Sequence, residues 1–332
     1  MTTSRVLLAV AAAALTIAPL AASGGTAETP APAAVRAGAA ACPVFPDDNW
    51  WHADISSLPV HAESSEWLSH MDTDVDLHPD FGPSYGDGPD YGIPVTVVGK
   101  HRLVRVRFDY ASESDRVRYP LGRDTRIEGG RRSDGDRHAI VVDRRTCRLY
   151  ETFATRKERG TWRAGSGATW SLRSNALRPD GWTSADAAGL PILPGLLRWR
   201  EVRDAANDLG AIDHAIRFTV PATSRHHLWP ARHDAGSTDS RDYPPMGARF
   251  RLSDDFPTQG YGAHARSVIE AMQTYGLVLA DNGSSWFFQG EQHRRWPSRL
   301  IEELKTIPAS EFEAVDTSSL MVDPDSAQVI SR

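Results

Sequence analysis

The chain has 332 residues, with 37 basic and 43 acidic side chains and a formal net charge of −6 at pH 7. This length suffices for one large domain or two small ones. A mildly acidic chain is a poor candidate for binding nucleic acid, because phosphate backbones attract basic surfaces. Lysine occurs only at Lys100, Lys157 and Lys305, against 34 arginines. Genomic base composition accounts for that bias, and recognition of carboxylates or phosphates by arginine is the alternative.

The N-terminal segment has the order of a secretory signal peptide. Residues 1–5 carry one positive charge, residues 6–22 are apolar, and small residues suited to cleavage follow. We therefore predict a signal peptide at residues 1–27 and a secreted, extracellular protein that is not attached to a membrane after cleavage. A membrane anchor is the alternative for the apolar stretch. Residues 28–41 are rich in alanine and proline and are interpreted as a leader.

The only two cysteines, Cys42 and Cys147, follow the predicted signal peptide. In an exported protein such a pair is most simply one disulfide bond. A crosslink between positions this far apart contributes about 4–5 kcal/mol through the entropy of the unfolded chain. Two free thiols, one of them a nucleophile, are the alternative, although no histidine or asparagine context supports it.

Alternating and β-branched segments predict a mainly β protein. Short turns join three pairs of these segments, and each pair predicts a hairpin. The three predicted hairpins comprise residues 91–98 with 102–110, 139–143 with 148–153, and 277–280 with 285–289. Single strands are predicted at residues 215–220 and 248–252.

Helical periodicity predicts three helices, at residues 198–206, 264–275 and 298–305. Gly276 is the expected C-cap of the second helix. Because strands dominate, we predict a β-sandwich or a barrel-like fold with a few added helices. The domain is predicted to be single and to span residues 42–315. Residues 316–332 are polar and are predicted to form a frayed tail.

Residues 162–197 are the most informative stretch of the chain. They include three tryptophans and three arginines among glycines, serines and alanines. Most of the stretch follows neither strand nor helix periodicity. Its tryptophan content argues against disorder, because disordered chains are poor in aromatic residues. Long irregular segments within a compact domain tend to be functional, and we therefore predict an ordered, site-forming region.

Six blocks of sequence are distributed over most of the chain that follows the leader. They read HPDFG, SDGDRHAIVVD, CRLYE, LRSNALRPDGWTSADAAGLPILPGL, IDHAIRFTVP and YGLVLADNGSSW, at residues 78–82, 133–143, 147–151, 172–196, 212–221 and 275–286. In these blocks the chain resembles an uncharacterised family of secreted bacterial proteins. The resemblance implies that the blocks belong to one unit, and it supplies no reaction, fold or catalytic residue.

Common catalytic and metal-binding motifs are missing from the sequence. It contains no phosphate-binding loop with a lysine, no GxGxxG after a strand, no HExxH and no GxSxG. Asp72, Asp74 and Asp76 resemble the start of a calcium loop, but its later glycine and glutamate are missing. A looser calcium site at these carboxylates stays open. The three histidines within residues 226–233 match no zinc template and are interpreted as surface residues.

Polar residues beside strands and turns supply the candidate catalytic groups. Glycoside hydrolysis needs one protonated and one ionised carboxyl group, for which we predict Asp186 and Asp281, with Glu128 in reserve. Polysaccharide elimination needs a base, for which we predict His138 or His214. Each has a structural alternative. Asp186 suits a helix cap, Asp281 suits a hairpin turn, and both histidines suit satisfied positions in or beside strands.

Candidate substrate contacts combine polar and aromatic side chains. Arginine and asparagine suit the recognition of carboxylates and hydroxyls. Tryptophans stack on sugar faces, although most tryptophans of a β-rich domain lie in its core. Ten tryptophans are more than one core needs, which favours a carbohydrate cleft. The predicted contacts are Arg173, Asn175, Trp170, Trp182, Trp286 and Arg232.

Together these residues favour a secreted carbohydrate-active enzyme that cleaves a polysaccharide, either as a glycoside hydrolase or as a polysaccharide lyase. The alternatives are a non-catalytic module that binds glycans or the cell wall, and a secreted structural or interaction protein. We expect a monomer whose partner is a polysaccharide or a cell-wall glycan. No cofactor is predicted apart from the calcium considered above.

Overall fold

A computed structural model of the protein describes residues 42–84, 86, 88–130 and 132–330. These residues fall within one compact unit. They form fourteen β-strands in three mixed sheets and four α-helices, which confirms the prediction of a mainly β protein. The finer expectation of a sandwich or barrel stays a prediction. The predicted signal peptide and leader lie outside the described residues.

The largest sheet has six strands. They are β1 (His78–Asp80), β10 (Ile216–Val220), β11 (Arg249–Leu252), β12 (Leu277–Asn282), β13 (Phe287–Gln289) and β14 (Phe312–Val315). Their order across the sheet is β1-β13-β10-β12-β11-β14. The pairs β1–β13 and β10–β12 are parallel, and the other neighbours are antiparallel.

Two further sheets have four strands each. The second sheet has the order β2-β5-β6-β9, and the third has the order β4-β3-β8-β7. The strands of the second sheet are β2 (Val95–Val98), β5 (Ala139–Asp143), β6 (Arg148–Thr152) and β9 (Gly167–Ser171). Those of the third sheet are β3 (Val104–Phe108), β4 (Arg118–Tyr119), β7 (Arg156–Glu158) and β8 (Thr161–Ala164). Strand β9 and all but the first residue of β8 lie within residues 162–197, the stretch predicted to be mostly irregular.

All three predicted helices are present, together with one that was not predicted. The helices are α1 (Ser64–Ser69), α2 (Trp199–Ala205), α3 (Ala263–Thr274) and α4 (Ser298–Leu304). Gly276 ends the turn after α3 with a φ of +70°, and a Cβ there would lie 2.3 Å from the Phe250 carbonyl oxygen. Glycine is therefore required for the sharp passage from α3 into β12. No helix in the described part of the chain has the length and apolar character needed to cross a membrane.

The six-stranded sheet is covered by apolar groups on both faces. On one face, Phe218 of β10 and Leu279 of β12 pack with the apolar side chains of α2, α3 and α4. On the other face, Val278 of β12 belongs to a cluster that includes Ile140 and Leu149 of the second sheet. Each fully buried aliphatic side chain stabilises the fold by about 1.5–3 kcal/mol. The second sheet therefore lies against the face of the large sheet that is turned away from the helices.

Two of the three predicted hairpins are wrong. Strand β2 pairs in parallel with β5, whereas β3 pairs with β4 and β8. Strands β12 and β13 do not pair with each other, because β10 lies between them. The turn residues allow the chain to change direction, but burial of the strand faces decides which strands become partners. The hairpin of β5 and β6 is confirmed.

The predicted disulfide bond between Cys42 and Cys147 is present. It ties the start of the described chain to the turn between β5 and β6. Residues 316–330, expected to be frayed, are instead packed, with Leu320, Ala327 and Val329 buried. The reason is that a few apolar side chains in this polar segment complete the second core cluster.

Candidate active site

A β-bulge in β12 turns Asp281 away from the apolar core. Phe218 is in register with Leu279, but Thr219 is in register with Asp281, so Ala280 is an extra residue. In a strictly alternating strand Asp281 would share the core face of Leu279. The bulge places it beside Thr219 instead, on the face of β10 that carries Arg217. Bulges commonly re-aim a side chain next to an active site.

Four neighbouring strands of the large sheet then contribute one polar residue each. Asp80 ends β1 in register with Gln289, which ends β13. Gln289 Oε1 accepts a hydrogen bond of 2.9 Å from Nη1 of Arg217 on β10. Arg217 Nη2 lies 3.8 Å from Oδ2 of Asp281 on β12. A row of side chains therefore crosses the sheet from Asp80 to Asp281.

Asp186 reaches this row from the irregular stretch. Its carboxylate accepts two hydrogen bonds from Arg217, of 3.2 Å from Nε and 2.6 Å from Nη2. The Asp186 side chain is fully buried. The backbone N–H of Ala188 donates to the carbonyl of Ala280, the extra residue of the bulge. The bulge therefore both orients Asp281 and holds the segment that carries Asp186.

His138 and Glu128 form a second ion pair beside the row. His138 Nδ1 lies 2.6 Å from Glu128 Oε2, and Nε2 lies 3.1 Å from the carbonyl oxygen of Ala185. Burial lowers the pKa of His138, but the Glu128 carboxylate outweighs that effect and raises it to about 9. The imidazole is then a cation at neutral pH, and both of its N–H groups donate.

Glu151 of β6 holds the C-terminal part of the irregular stretch, residues 162–197, in place. Its carboxylate, on β6, is fully buried and accepts hydrogen bonds from the backbone N–H groups of Ile192 and Leu193, at 2.8 and 2.9 Å. Burial raises the pKa of Glu151 to about 7, although these two donors act in the opposite direction. With no exposed surface, Glu151 supports the site and does not touch a substrate.

The three partly exposed carboxyl groups differ in their affinity for protons. Burial, and then the Asp186 charge, raise the pKa of Asp281 to about 7. Burial, and then Glu128, also raise the pKa of Asp80. Burial acts in the same direction on Glu128, but the adjacent His138 cation outweighs it and holds the pKa of Glu128 below its usual value. Near neutral pH, Asp281 is therefore close to its titration midpoint while Glu128 is ionised.

Exposure separates the site into two sets of residues. Asp80, Glu128 and Asp281 are partly exposed, and we call them the carboxylate cluster. The second set is buried, and we call it the buried polar layer. It consists of His138, Glu151, Asp186, Arg217 and Gln289. The buried polar layer sets the charges and the orientation of the carboxylate cluster.

Three of the four predicted catalytic residues come together, and one does not. Asp186, Asp281 and His138 all belong to the site, as does the reserve residue Glu128. His214 lies elsewhere, with 1% of its surface exposed. Its Nδ1 lies 2.8 Å from the carbonyl oxygen of Ala215, and its Nε2 lies 3.0 Å from Glu201 Oε1. Both ring nitrogens are therefore engaged in holding α2 next to β10.

The predicted polar substrate contacts each have a partner within the protein. Arg173 donates to the sulfur of Cys147 at 3.4 Å, beside the disulfide bond. Asn175 donates to Asp48 at 2.8 Å. Arg232 donates to Asp325 and so holds the C-terminal segment. Arginine and asparagine satisfy several backbone or carboxylate partners at once, which suits them to irregular segments as well as to ligands.

The tryptophans are mainly core residues. Eight of the ten are buried, which removes the numerical argument for a stacking cleft. Trp286 is fully buried, and its ring nitrogen donates to the carbonyl of Met71 at 2.6 Å. Trp170 is 5% exposed. Trp182 is half-buried and lies 5.4 Å from the guanidinium of Arg178. The core of a large, layered β protein can bury more tryptophan side chains than the sequence suggested.

The described part of the chain contains no group of three or more His, Cys, Asp or Glu side chains that is disposed to hold a metal ion. Two of the three histidines considered for zinc, His227 and His233, have partners within the protein. His227 bridges Asp180 and Asp234, at 3.1 and 2.6 Å. Asp72 accepts a hydrogen bond of 2.5 Å from Ser285 and so ties the calcium-like segment to the turn before β13.

Sequence reasoning missed Asp80, Glu151, Arg217 and Gln289 as site residues. One signal was available for Arg217, because a lone arginine inside the apolar run of β10 must be paired when it is buried. Asp80 and Gln289 end short strands, and nothing in the sequence shows that β1 and β13 are neighbours. Glu151 shares a face of β6 with the apolar Leu149, and nothing in the sequence shows that backbone N–H groups of a distant segment would pair with its carboxylate.

Comparison of the chain with models of known protein families, with proteins of curated function and with solved structures finds no match.

Proposed function

We propose that this protein is a secreted polysaccharide hydrolase in which Asp281 is the general acid and Glu128 is the general base. The supporting observation is that two partly exposed carboxyl groups from distant segments each lie beside a buried cation, Asp281 at 3.8 Å from Arg217 and Glu128 at 2.6 Å from His138. Hydrolysis of a glycosidic bond uses two carboxyl groups in opposite protonation states. Proteins assign such roles by placing the two carboxyl groups in surroundings that move their pKa values apart.

In the proposed reaction Asp281 donates its proton to the glycosidic oxygen as the bond from that oxygen to the anomeric carbon breaks. Glu128 accepts a proton from the water molecule that attacks the anomeric carbon. The products are two shorter chains, one with a new reducing end, and one proton then passes from Glu128 to Asp281 through solvent. Asp80, which is partly exposed at the end of β1, is placed to accept a hydrogen bond from a substrate hydroxyl.

Asp186 has a different role from the one expected of it. Its fully buried side chain does not reach a substrate, and both of its oxygens bind Arg217. Asp186 is therefore a positioning residue, which orients Arg217 and raises the pKa of Asp281 by its charge. The active carboxyl pair in the proposal is accordingly Asp281 with Glu128.

Hydrolysis is favoured over elimination because neither of the two predicted histidine bases is free. His138 is protonated near neutral pH, and both of its N–H groups are engaged. His214 is buried away from the carboxylate cluster. The binding-module alternative loses its main support, because it relied on exposed tryptophans. The disulfide bond is compatible with the proposed secretion.

The test is the release of reducing ends from a panel of neutral and acidic polysaccharides by the purified protein. Asp281→Asn and Glu128→Gln are expected to reduce the rate by a factor of about 100 or more, the usual scale for acid–base groups. Asp254→Asn is the matched control, because Asp254 is exposed and lies in the turn after β11, at the other end of the sheet. Equal rates in all three variants, with folded protein by circular dichroism, would contradict the proposal.

A further inference from the structure

A cavity of about 350 Å³ adjoins the third sheet. Its residues come from the segment that precedes Glu128, from the segment that precedes His138, and from β7 and β8. Trp162 and Ile127 form its buried apolar wall. The charged lining residues are Arg123, Arg137, Arg156 and Lys157, and none of the lining residues that the structure describes is acidic.

The cations of this cavity are held by defined contacts. Arg137 donates to the backbone carbonyls of Thr155 and Ser133, at 3.0 and 2.6 Å. Arg156 pairs with Asp109 at 3.0 Å and also with Glu158. Lys157 lies 5.5 Å from the centre of the Trp162 ring, and the structure shows no ion pair for it among the described residues. A concave site with positive walls concentrates anions, and most strongly at low salt.

The cavity and the carboxylate cluster share two segments of chain. Ile127 and Arg137 line the cavity, and the residues that directly follow them are Glu128 and His138. The backbone N–H of Glu128 donates to the carbonyl of His138 at 2.9 Å, which joins the two segments side by side. Consecutive Cα atoms are about 3.8 Å apart, so the backbone that lines the cavity and the backbone that carries Glu128 and His138 are adjacent in both segments.

We propose that this cavity is a subsite for an anionic group of the substrate, so that the polysaccharide is an acidic one bearing uronate or sulfate groups. The inference rests on the proposed function, since it names the substrate class of that site. The net charge of the chain is −6, and the carboxylate cluster adds local negative charge. An acidic polymer therefore needs a separate positively charged site in order to bind next to the carboxylate cluster. The arginine fork and the lysine ammonium match carboxylate and sulfate, and the Trp162 wall suits an apolar sugar face.

The test is calorimetric titration with polygalacturonate, dextran sulfate and neutral dextran at low ionic strength. The Asp281→Asn protein is used, so that turnover does not alter the polymers. The test variant adds Arg123→Gln and Lys157→Gln, both at exposed positions on the rim of the cavity. The matched control instead adds Arg145→Gln and Arg266→Gln, which remove the same charge from exposed positions outside the cavity.

The expected result is binding of at least one acidic polymer, weakened tenfold or more by the cavity variant and less than twofold by the control. Polygalacturonate and dextran sulfate separate the carboxylate from the sulfate as the group bound. Equal weakening by the two variants, stronger binding of neutral dextran, or no binding of either acidic polymer would overturn the subsite. Charge-dependent binding at the cavity together with no hydrolysis of any polysaccharide would support the subsite and contradict the proposed hydrolase. Hydrolysis of neutral polymers alone would support the proposed hydrolase and contradict the subsite.

Discussion

Asp186 and Arg217 are joined by two hydrogen bonds, of 3.2 and 2.6 Å, and their side chains are 0% and 3% exposed. One residue belongs to an irregular stretch and the other to a central strand of the large sheet. Neither charge has access to bulk water, so each depends on the other for its stability. Removing one partner of such a pair leaves an uncompensated buried charge.

Asp186→Ala is therefore expected to lower the free energy of unfolding by about 3–5 kcal/mol. The double variant Asp186→Ala with Arg217→Met is expected to lose clearly less than the sum of the two single losses. Urea denaturation of the four proteins in this cycle measures both effects. Asp254→Ala, on the surface, is the control and should change stability by about 0.5 kcal/mol or less. Additive losses in the double variant would show that the pair is not coupled.

The proposed hydrolase should have a bell-shaped pH profile for kcat/KM. Asp281 must be protonated, so activity is expected to fall as the pH rises through about 7. Glu128 must be ionised, and because its pKa is lowered, the acidic limb should lie below its ordinary value of 4.5. Asp186→Asn removes the charge that raises the pKa of Asp281 and should move the basic limb to lower pH. A basic limb unchanged by that substitution would contradict the assignment of Asp281.

The raised pKa of Asp281 also predicts a stability effect. The folded state holds the Asp281 proton more tightly than the unfolded chain, whose aspartate has a pKa of 3.8. Ionised Asp281 therefore destabilises the fold, and this cost grows as the pH rises from 3.8 to about 7. Asp281→Asn is expected to stabilise the protein by about 1–3 kcal/mol at about pH 8, with little change at about pH 4. Thermal melts at both pH values check this, and a destabilised variant at the higher pH would refute it.

The pair of His138 and Glu128 predicts a second decline in stability with rising pH, at a higher pH than that of Asp281. The folded-state pKa of His138 is about 9, against 6.5 in the unfolded chain. Its stabilising contribution is complete below pH 6.5 and is lost as the pH rises through about 9. Glu128→Gln should lower the pKa of His138 and flatten this decline in unfolding free energy. Titration of the His138 ring protons by NMR provides the direct measurement. A midpoint near 6.5 in the unsubstituted protein would show that the pair is not formed.

The bond between Cys42 and Cys147 spans a sequence separation of 105 residues. A loop of this length predicts a loss of about 4–5 kcal/mol of unfolding free energy when both cysteines are replaced by serine. The carboxylate cluster lies on other segments, so the remaining folded protein should keep its activity. Denaturation with and without reductant checks the stability loss. A loss below about 1 kcal/mol would indicate that the unfolded chain is already constrained in this region.

Sequence alone selected three polar residues that lie together in the fold, but it did not predict the contacts that hold them. Asp186, Asp281 and His138 were chosen because polar groups beside strands suit a site, and the structure brings them together. His214 met the same criterion but lies against Glu201. The difference between His138 and His214 depends on which strands are neighbours, and no local pattern in the sequence records that.

The remaining differences between the sequence-based predictions and the structure depend on which face of a strand each side chain occupies. A side chain on a strand changes face with every shift of one residue, so the orientation of Asp281 depends on the bulge in β12. The sequence around Asp281 favours a hairpin turn, and only the position of β10 between β12 and β13 shows that it forms none. Helices were easier to predict, because the apolar face of α3 is contained in one continuous segment.

The bulge gives β12 one residue more than the neighbouring β10, and two separate contacts depend on that length. Deleting Ala280 would keep Asp281 opposite Thr219 in a regular ladder, because the next residue after Leu279 takes that place. The deletion would, however, remove the carbonyl that binds the N–H of Ala188. The number of residues in β12 therefore matters more than the identity of any one side chain. It sets the position of the segment that carries Asp186 relative to the strand that carries Asp281.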